Sequence, residues 1–368
     1  TAYPSLENED KQYEQKITSM PFSLPPLQTG LSVWQGPTLN NQKEKWIISL
    51  NKMEISELET ALQQFQQNGK TIGAMTREDF QLPNLGKKLT QLKVQLIHGI
   101  GFFLLKGLPI EHYSEKEAAT IFFGIGTHIG NVRSQNAQGH VLGQVRNVGL
   151  DSTDPKVRLY QTQERQTFHT DSCDVVGLLC VQPAKAGGLS LLVSANTVFN
   201  EMRQRRPDLL ELLLQPIATD RRGEVPEGML PYLLIPVFSH FHEKITPFYQ
   251  RQYIESAQRF ADAPRLTSKH IEALDLLDEL CNSPDLHLTM LLEKGDMQFV
   301  YNHAMLHDRT AFVDFEDISK RRYLARLWLS VAGDRPLPDV FASRFGSVEI
   351  GNRGGIMVKE TKLNVPWF

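Results

Sequence analysis

The hydrophobic positions of this 368-residue chain follow helical spacing in some segments and strand-like spacing in others. Residues 54–67 carry apolar side chains at helical spacing, whereas residues 97–107 contain an apolar run between glycines, which predicts a buried strand. Ser114 and Glu117 have the spacing of a capping box and predict a helix that runs through Phe123. The front of the chain is therefore predicted as helix, strand and helix.

From residue 161 onward, short apolar runs alternate with turn-forming residues, a pattern typical of a sheet-rich core. The predicted strands are residues 175–181, 189–193, 299–301 and 322–330. Helical patterns between them occupy residues 197–205, 207–214 and 268–281. Because these helices are placed as insertions and not as regular crossovers, the expected fold class is mainly β with flanking helices (α+β), built on a β-sandwich or jelly roll.

The first 50 residues are rich in proline and other turn-forming residues, so we expect residues 1–50 to form an extended N-terminal arm packed on the core. The remainder shows no internal repeat and no low-complexity linker. Residues 51–368 are therefore expected to form a single domain.

Composition and charge narrow the class of partner. The chain is 41% hydrophobic and 22% charged, as in ordinary globular proteins. Its 39 Lys and Arg residues nearly balance its 42 Asp and Glu residues, and the net charge of -3 gives no general electrostatic reason to bind nucleic acid or a membrane. We therefore expect a small-molecule substrate. The sequence leaves the oligomeric state open, and an oligomer is compatible with it.

The cysteines and the apolar runs point to a cellular compartment. Cys173, Cys180 and Cys281 are too few for a disulfide framework or a four-cysteine zinc site, which favours a reducing environment. No run of about 18 apolar residues is present, and the first ten residues are polar and acidic, unlike a secretory leader. We expect a cytoplasmic protein.

The segment Phe168-His169-Thr170-Asp171 offers a pair of metal ligands. On an extended segment, residues two apart point to the same side, so the imidazole of His169 and the carboxylate of Asp171 converge on one point. Chance alone supplies roughly one such His-x-acid triplet in a chain of this composition, so the pair is weak evidence by itself. The alternative is a histidine at a strand end beside a surface acid.

A second triplet, His270-Ile271-Glu272, lies inside the predicted helix 268–281. Residues two apart on a helix point in nearly opposite directions, so this triplet cannot bind one ion. A third ligand for His169 and Asp171 must come from a distant segment, since two close ligands and one remote ligand leave open positions on iron. His303 and His307 are both candidates, and periodicity does not choose between them.

At these residues the chain resembles the taurine dioxygenase and clavaminate synthase-like family of iron(II)- and 2-oxoglutarate-dependent oxygenases. The resemblance covers roughly residues 95–330 and follows landmarks that occur in order. These are Gly101-Phe102-Phe103, Phe168-His169-Thr170-Asp171, Gly187-Gly188-Leu189-Ser190, Gly295-Asp296, Asn302 to His307, and Arg322-Tyr323-Leu324-Ala325-Arg326. The resemblance implies a double-stranded β-helix (jelly roll) core with helical insertions.

The same resemblance implies that Fe(II) is bound by His169, Asp171 and His307, with His303 as a neighbour and not a ligand. It further implies O2 and 2-oxoglutarate as co-substrates. The far carboxylate of 2-oxoglutarate needs a planar cation and a hydroxyl, and Arg322 and Ser190 match the family positions that provide them. Four residues further along the predicted strand, Arg326 faces the same side as Arg322. It would share the 2-oxoglutarate or bind an anionic group of the substrate.

Substrate contacts are matched only loosely. His128, Gln135 and Asn136 follow a helix in the region where family members place such residues, although each has an ordinary role as a surface or capping group. Arg165 lies four residues before His169, at a position that some members use for substrate, with arginine here in place of an amide.

The function that the resemblance implies is oxidation of a C–H bond in a small organic molecule, with release of succinate and CO2. Hydroxylation is the expected outcome, and desaturation or ring closure would use the same machinery. Two rival interpretations are a jelly-roll protein that binds a metal or small acid without turnover and a zinc hydrolase that uses the same two histidines and aspartate. The hydrolase has no use for Ser190 and Arg322, and the binding protein is disfavoured because the full triad and the anchor for the far carboxylate are both present. The identity of the substrate is not predicted.

Overall fold

The structure, a computed structural model, describes residues 23–147, 165, 167–356 and 362–368. Among these residues, a large central sheet and several smaller sheets are surrounded by helices, so the architecture is a mixed α/β one. The strands are β1 (Ile47–Ser49), β2 (Phe102–Lys106), β3 (Asn131–Val132), β4 (Gly143–Val145), β5 (Val175–Gln182), β6 (Ala186–Gly187), β7 (Ser190–Ser194), β8 (Ile217–Asp220), β9 (Tyr232–Ile235), β10 (Phe238–Phe241), β11 (Lys244–Pro247), β12 (Leu288–Met290), β13 (Met297–Tyr301), β14 (Met305–Arg309), β15 (Phe312–Val313) and β16 (Tyr323–Ser330).

The helices lie mainly before and between these strands. The α-helices are α1 (Gly36–Asn40), α2 (Lys52–Gln67), α3 (Leu85–His98), α4 (Glu115–Thr127), α5 (Ala195–Arg205), α6 (Pro207–Leu213), α7 (Arg251–Ser256), α8 (Ser268–Asn282) and α9 (Ala342–Phe345). Single-turn 3-10 helices occupy Lys43–Lys45, Ile72–Ala74, Arg77–Asp79, Ile110–His112, Ala257–Arg259, Ile318–Lys320 and Asp339–Phe341. None of the described helices is long and apolar enough to cross a membrane.

The central sheet has seven strands in the order β1-β2-β13-β5-β16-β3, with β4 also paired to β16. Only the β1–β2 pair is parallel, and the others in this sheet are antiparallel. A second, antiparallel sheet has the order β12-β7-β14. The remaining described strands form three two-stranded pairs, β10-β11, β15-β6 and β8-β9.

Apolar side chains divide the molecule into layers. One buried cluster lies between the outer face of the central sheet and helices α2, α3 and α4. Another joins the inner face of the central sheet to the three-stranded sheet, where Phe102 and Leu324 share a cluster with Leu192 and Met305. A third covers the outer face of the three-stranded sheet with helices α5, α6 and α8. The inner faces of the two sheets therefore face each other, and polar side chains on those faces point into the space between them.

The helices predicted from apolar spacing are confirmed, with shifted ends. Helix α2 begins at Lys52 because the side chain of Asn51 accepts a hydrogen bond from the backbone N–H of Glu54 at 2.8 Å. Ser114 caps α4 in the same way, accepting from the N–H of Glu117 at 3.1 Å. The strand predicted for residues 97–107 is shorter than expected, because α3 runs into its first two residues and only β2 is extended.

A buried ion network behind the sheets links the C-terminal region to the core. Arg353 is fully buried, and its Nε donates to Asp174 Oδ1 at 2.9 Å while its Nη2 donates to Asp334 Oδ2 at 3.0 Å. Asp174 also accepts from the backbone N–H of Val331 at 3.0 Å. One guanidinium thus bonds two buried carboxylates, and His303 lies beside the same pair.

Replacing Arg353 by Met should leave both carboxylates buried without their cation. We expect the free energy of unfolding to fall by about 3–5 kcal/mol, the cost of breaking a buried ion pair from one side. Urea denaturation followed by circular dichroism measures the loss. The control is Arg205→Met, which removes an exposed ion pair with Glu201 and should change stability by about 1 kcal/mol or less. Equal, small losses in the two variants would contradict the structural role of Arg353.

Candidate metal centre

Two histidines from distant parts of the chain are held side by side. His169 and His307 form an isolated antiparallel bridge, in which the N–H of His169 donates to the carbonyl of His307 at 2.9 Å and the reverse bond is 3.0 Å. Their ring centroids are 4.3 Å apart. Asp171 lies two residues after His169 on the same extended segment, so its carboxylate reaches the same point.

The donor atoms of His169, Asp171 and His307 all lie within 4.8 Å of one another. Nε2 of His169 is 3.7 Å from Asp171 Oδ1, and Nε2 of His307 is 3.7 Å from Asp171 Oδ2. The Nδ1 atom of His169 is 2.8 Å from the carbonyl oxygen of Thr167, which fixes the tautomer with its lone pair on Nε2. Two imidazole nitrogens and one carboxylate are a donor set that suits non-haem iron(II).

Electrostatics favour the protonation states that a metal requires. Burial and the neighbouring His307 lower the pKa of His169 to about 4, so this imidazole is neutral at neutral pH. Burial by itself would raise the pKa of Asp171, but His307, Arg326 and His169 together hold it below its ordinary value. A neutral imidazole and an ionised carboxylate are the forms that bind a metal ion.

Side chains around the segment fix the position of Asp171. Asn302 accepts from the backbone N–H of Asp171 at 2.8 Å, and its amide donates to the carbonyl oxygens of Asp171 at 2.6 Å and Cys173 at 2.8 Å. The indole N–H of Trp328 donates to Asp171 Oδ2 at 3.1 Å. The carboxylate is therefore oriented by groups that are not ligands themselves.

His303 belongs to a different cluster. It is fully buried, and its Nε2 lies 2.7 Å from Asp174 Oδ1 and 3.8 Å from Asp334 Oδ2. These three residues could bind a metal ion by their donor types alone. However, Arg353 already bonds both carboxylates, so we assign the cluster to the buried ion network.

A cavity between the two sheets adjoins the metal-type triad and contains the predicted anchor residues. Arg322, Ser190 and Arg326 line it together with His307. Arg322 is 5% exposed, and among the described residues no group accepts a hydrogen bond from its Nη1. A buried donor without a partner costs free energy, so this arrangement fits an anion that binds there.

Ser190 is oriented for the same cavity. Its Oγ accepts from Nε2 of Gln298 at 2.9 Å, which leaves the hydroxyl hydrogen to donate elsewhere. A Cβ on Gly188 would lie only 3.2 Å from Nε of Arg322, and Gly188 has a φ of +69°. Glycine at this position therefore allows the backbone to pass close to the guanidinium.

Arg326 stands between this cavity and a second one on the other side of the triad, and Asp171 lines both. The Nη1 atom of Arg326 is 3.9 Å from Asp171 Oδ2, and its guanidinium lies over the ring of Trp328 at 4.9 Å. Gln135 is 2% exposed, accepts from Nε of Arg326 at 2.9 Å and donates to the carbonyl of Arg326 at 2.7 Å. Gln135 therefore positions Arg326.

His128, Asn136 and Arg165, the other residues at which substrate contacts were expected, do not line either of the two cavities beside the triad. His128 bonds the carbonyl oxygen of Phe80 at 2.6 Å and lines a separate cavity. Asn136 caps a turn, where its amide contacts Nδ1 of His140 at 2.9 Å. The guanidinium of Arg165 is 2.6 Å from Asp308 Oδ2, next to His307 in the chain.

The second cavity is lined by side chains from several segments. Thr170 and Ser172 flank Asp171 there, and Gln250 and Arg344 come from distant parts of the chain. Nε of Arg344 donates to Oγ of Ser172 at 2.8 Å. This side of the triad therefore combines hydroxyl, amide and guanidinium groups with aromatic rings such as Phe248 and Tyr253.

Sequence reasoning missed four residues of the site: Gln298, Arg309, Trp328 and Arg344. Trp328 could have been predicted, because alternate residues of a strand point to the same face and Trp328 lies two residues after Arg326. Arg309 begins the Arg-Thr-x-Phe pattern that follows His307, but the pattern indicated no role for it. Gln298 and Arg344 give no local signal, since their place in the site depends on contacts with segments far away in the chain.

Comparison with known proteins identifies the family. Residues 63–328 match the family described as "Taurine catabolism dioxygenase TauD, TfdA family". The chain belongs to this family. It is an oxidoreductase, an iron(II)- and 2-oxoglutarate-dependent dioxygenase, and O2 is its other co-substrate.

Two curated relatives of this dioxygenase span most of its length. It is 32% identical to FR-33289 synthase of Streptomyces rubellomurinus, over 84% of this chain and 92% of that protein. It is 30% identical to the taurine hydroxylase-like protein SAT17 of Stachybotrys chartarum, over 80% of this chain and 77% of that protein.

Solved structures share the fold at low sequence identity. Asparagine oxygenase in complex with Fe(II), 3-hydroxyasparagine and succinate has a TM-score of 0.62 at 16% identity, covering 77% of this chain and 93% of that chain. The non-haem iron oxygenase OrfP with Fe and alpha-ketoglutaric acid has a TM-score of 0.58 at 14% identity, covering 77% and 93%. The fold of the dioxygenase is that of these oxygenases.

The two candidate remote histidines can be separated by metal binding. His307→Ala removes a donor of the triad and should abolish tight Fe(II) binding, whereas His303→Gln changes only the buried ion network and should keep one Fe(II) per chain. Anaerobic Fe(II) titration measures the stoichiometry, with circular dichroism to confirm folding. Loss of iron by folded His303→Gln with retention by His307→Ala would reverse the assignment.

Proposed function

We propose that His169, Asp171 and His307 bind the Fe(II) of this dioxygenase and that the cavity between the sheets binds 2-oxoglutarate. The observation that carries the proposal is the buried Nη1 of Arg322, which has no hydrogen-bond partner among the described residues and lines the same cavity as His307. A metal-type triad and an anion-binding donor in one cavity suit a ligand that chelates a metal and carries a distant carboxylate.

In this proposal, Arg322 and Ser190 bind the far carboxylate of 2-oxoglutarate. Arg326, held by Gln135, stands at the boundary of both cavities, where it contacts the co-substrate or an anionic group of the substrate. Iron bound at the triad would couple oxidative decarboxylation of 2-oxoglutarate to oxygen activation. The protein itself orients the ligands and excludes water from the space between the sheets.

The second cavity is the proposed substrate site, because it shares Asp171 and Arg326 with the co-substrate cavity. Its hydroxyl, amide and guanidinium groups, beside aromatic rings, suit a small molecule that carries polar groups. We infer hydroxylation of a C–H bond as the reaction, with succinate and CO2 as the other products. A solved asparagine oxygenase complex that contains a hydroxylated amino acid and succinate supports this outcome, with desaturation and ring closure as the alternatives.

The finer architecture is also inferred. The seven-stranded and three-stranded sheets, packed face to face around the cavity, support a jelly-roll (double-stranded β-helix) core within residues 95–330. We propose that residues 51–368 form one oxygenase domain and that residues 1–50 pack on it as an arm. Residues 1–22 of this arm lie outside the described residues, and β1 in its last part pairs with β2.

Location in the cytoplasm is proposed from the thiols. Cys173, Cys180 and Cys281 are all free and buried in the structure. Free thiols suit a reducing compartment.

The rival functions explain less of the site. A zinc hydrolase with the same triad has no use for a buried guanidinium aligned with a serine hydroxyl in an adjoining cavity. A binding protein without turnover would need the anion site but not the second cavity that meets it at Asp171. A dioxygenase needs both the anion site and the second cavity.

Turnover provides the direct test. With Fe(II), 2-oxoglutarate and O2, a panel of small polar acids and amides should include at least one compound that stimulates succinate release. Asp171→Ala should remove this activity while the circular dichroism spectrum stays unchanged, because the loss of one ligand is local. Hydrolysis of a panel amide by the zinc-loaded protein, with no succinate in any iron-loaded reaction, would support the hydrolase instead.

A second test asks whether Arg322 binds the far carboxylate of 2-oxoglutarate. Arg322→Lys keeps the charge but loses the planar fork, so we expect 2-oxoglutarate affinity to fall by about tenfold or more, equivalent to about 1.4 kcal/mol. Fe(II) affinity should barely change. Anaerobic titration of the Fe(II) protein with 2-oxoglutarate, followed by its charge-transfer absorbance, measures this. Arg326→Lys is the comparison variant, and a loss confined to it would move the anchor to Arg326.

A further inference from the structure

A second buried arginine lies at the far end of the proposed co-substrate cavity. Arg309 is the last residue of β14 and is 5% exposed. It lines the cavity together with Arg322, Ser190 and Gln298. His307 and Arg309 are two residues apart on one strand, so both side chains face the central sheet.

The strand register brings Arg309 to the proposed anchor. Arg309 is the direct partner of Ser190 in the β14–β7 pair, and His307 is the partner of Leu192. The triad ligand and the second arginine are therefore separated along β14 by two residues, about 7 Å. A five-carbon 2-oxo diacid that chelates a metal at one end places its other carboxylate at a comparable distance.

Both guanidiniums lie against one aromatic ring. The Cζ atom of Arg309 is 4.7 Å from the centroid of Phe312, and the Cζ atom of Arg322 is 5.1 Å from it. Phe312 is itself buried. Both arginines also line the cavity, so its end near Phe312 offers two planar cations to which a bound carboxylate could form hydrogen bonds.

Electrostatics agree with this geometry. Burial and then the charge of Arg322 lower the pKa of Arg309 to about 9, and burial lowers the pKa of Arg322 to about 10. Both side chains remain protonated at neutral pH, so two like charges are held together without bulk water. The neighbouring Asp308 accepts from Arg165 and from the backbone N–H of Arg309.

We propose that Arg309 is a second binding residue for the far carboxylate of 2-oxoglutarate, which would lie between Arg309 and Arg322 with Ser190 donating a third hydrogen bond. This inference rests on the proposed co-substrate site and extends it. The two-arginine clamp makes the cavity specific for 2-oxo acids that carry a second carboxylate.

The experiment compares two ligands that differ only at the far end. 2-Oxoglutarate and 2-oxopentanoate have the same chelating group, but a methyl group replaces the far carboxylate in the second. Both are titrated anaerobically into the Fe(II) protein, and the charge-transfer absorbance reports binding without turnover. In Arg309→Met, 2-oxoglutarate should bind about tenfold more weakly, while 2-oxopentanoate affinity should stay within about twofold of that of the wild type.

Two further variants complete the design. Arg309→Lys keeps a cation in a folded cavity and should show a smaller loss, again only for 2-oxoglutarate. Arg321→Met is the matched control, because Arg321 is the neighbouring cation of Arg322, donates to the carbonyl of Phe315 and does not line the cavity. Its affinity for both ligands should be unchanged.

The outcomes separate this inference from the proposed function. Weakening of both ligands by the same factor in Arg309→Met and Arg309→Lys would show that Arg309 only packs on Phe312, and it would overturn the inference. Unchanged 2-oxoglutarate affinity in both variants would do the same. A wild-type protein that gives no charge-transfer band with 2-oxoglutarate would instead contradict the co-substrate site itself.

Discussion

The buried ion network around Asp174 is the constraint on which the geometry of the triad depends. Asp174 lies three residues after Asp171, and its carboxylate bonds Arg353 and His303 with no exposure to solvent. His303 in turn lies four residues before His307. One set of buried charges therefore ties together the two segments that provide the triad. Each charge is costly without its partners, so the segments cannot separate without a large loss of stability.

The triad lies between two cavities that are lined by different kinds of side chain. On one side, the facing sheets enclose a narrow space in which Arg322 and Ser190 can bind a carboxylate. On the other side, hydroxyl, amide and aromatic side chains from strands, loops and helices line the second cavity. Arg326 stands between them and is fixed by Gln135. Binding on either side therefore acts on the same guanidinium, which gives the two ligands a direct means of influencing each other.

Local signals explain which parts were predictable from the sequence. Helices α2, α4 and α8 were predicted because their caps and apolar spacing are contained in one segment. Periodicity did not distinguish His303 from His307, since the chain turns between β13 and β14 and both rings are directed inward. The choice followed from a family resemblance. The roles of Arg309 and Arg353 depend on partners in distant segments, so no local pattern could have shown them.

The reaction class is easier to assign than the substrate, and the extent of the family match helps to explain why. The triad and the proposed 2-oxoglutarate anchor all lie within residues 63–328, the part that matches the family. Arg344 lies beyond it, in the short helix α9, yet lines the second cavity and donates to Ser172 next to Asp171. One side chain of the proposed substrate site thus comes from outside the family match, whereas the other residues that line this cavity lie within it. The family match therefore covers the proposed chemistry in full but the proposed substrate site only in part, so membership of the family alone does not specify the substrate.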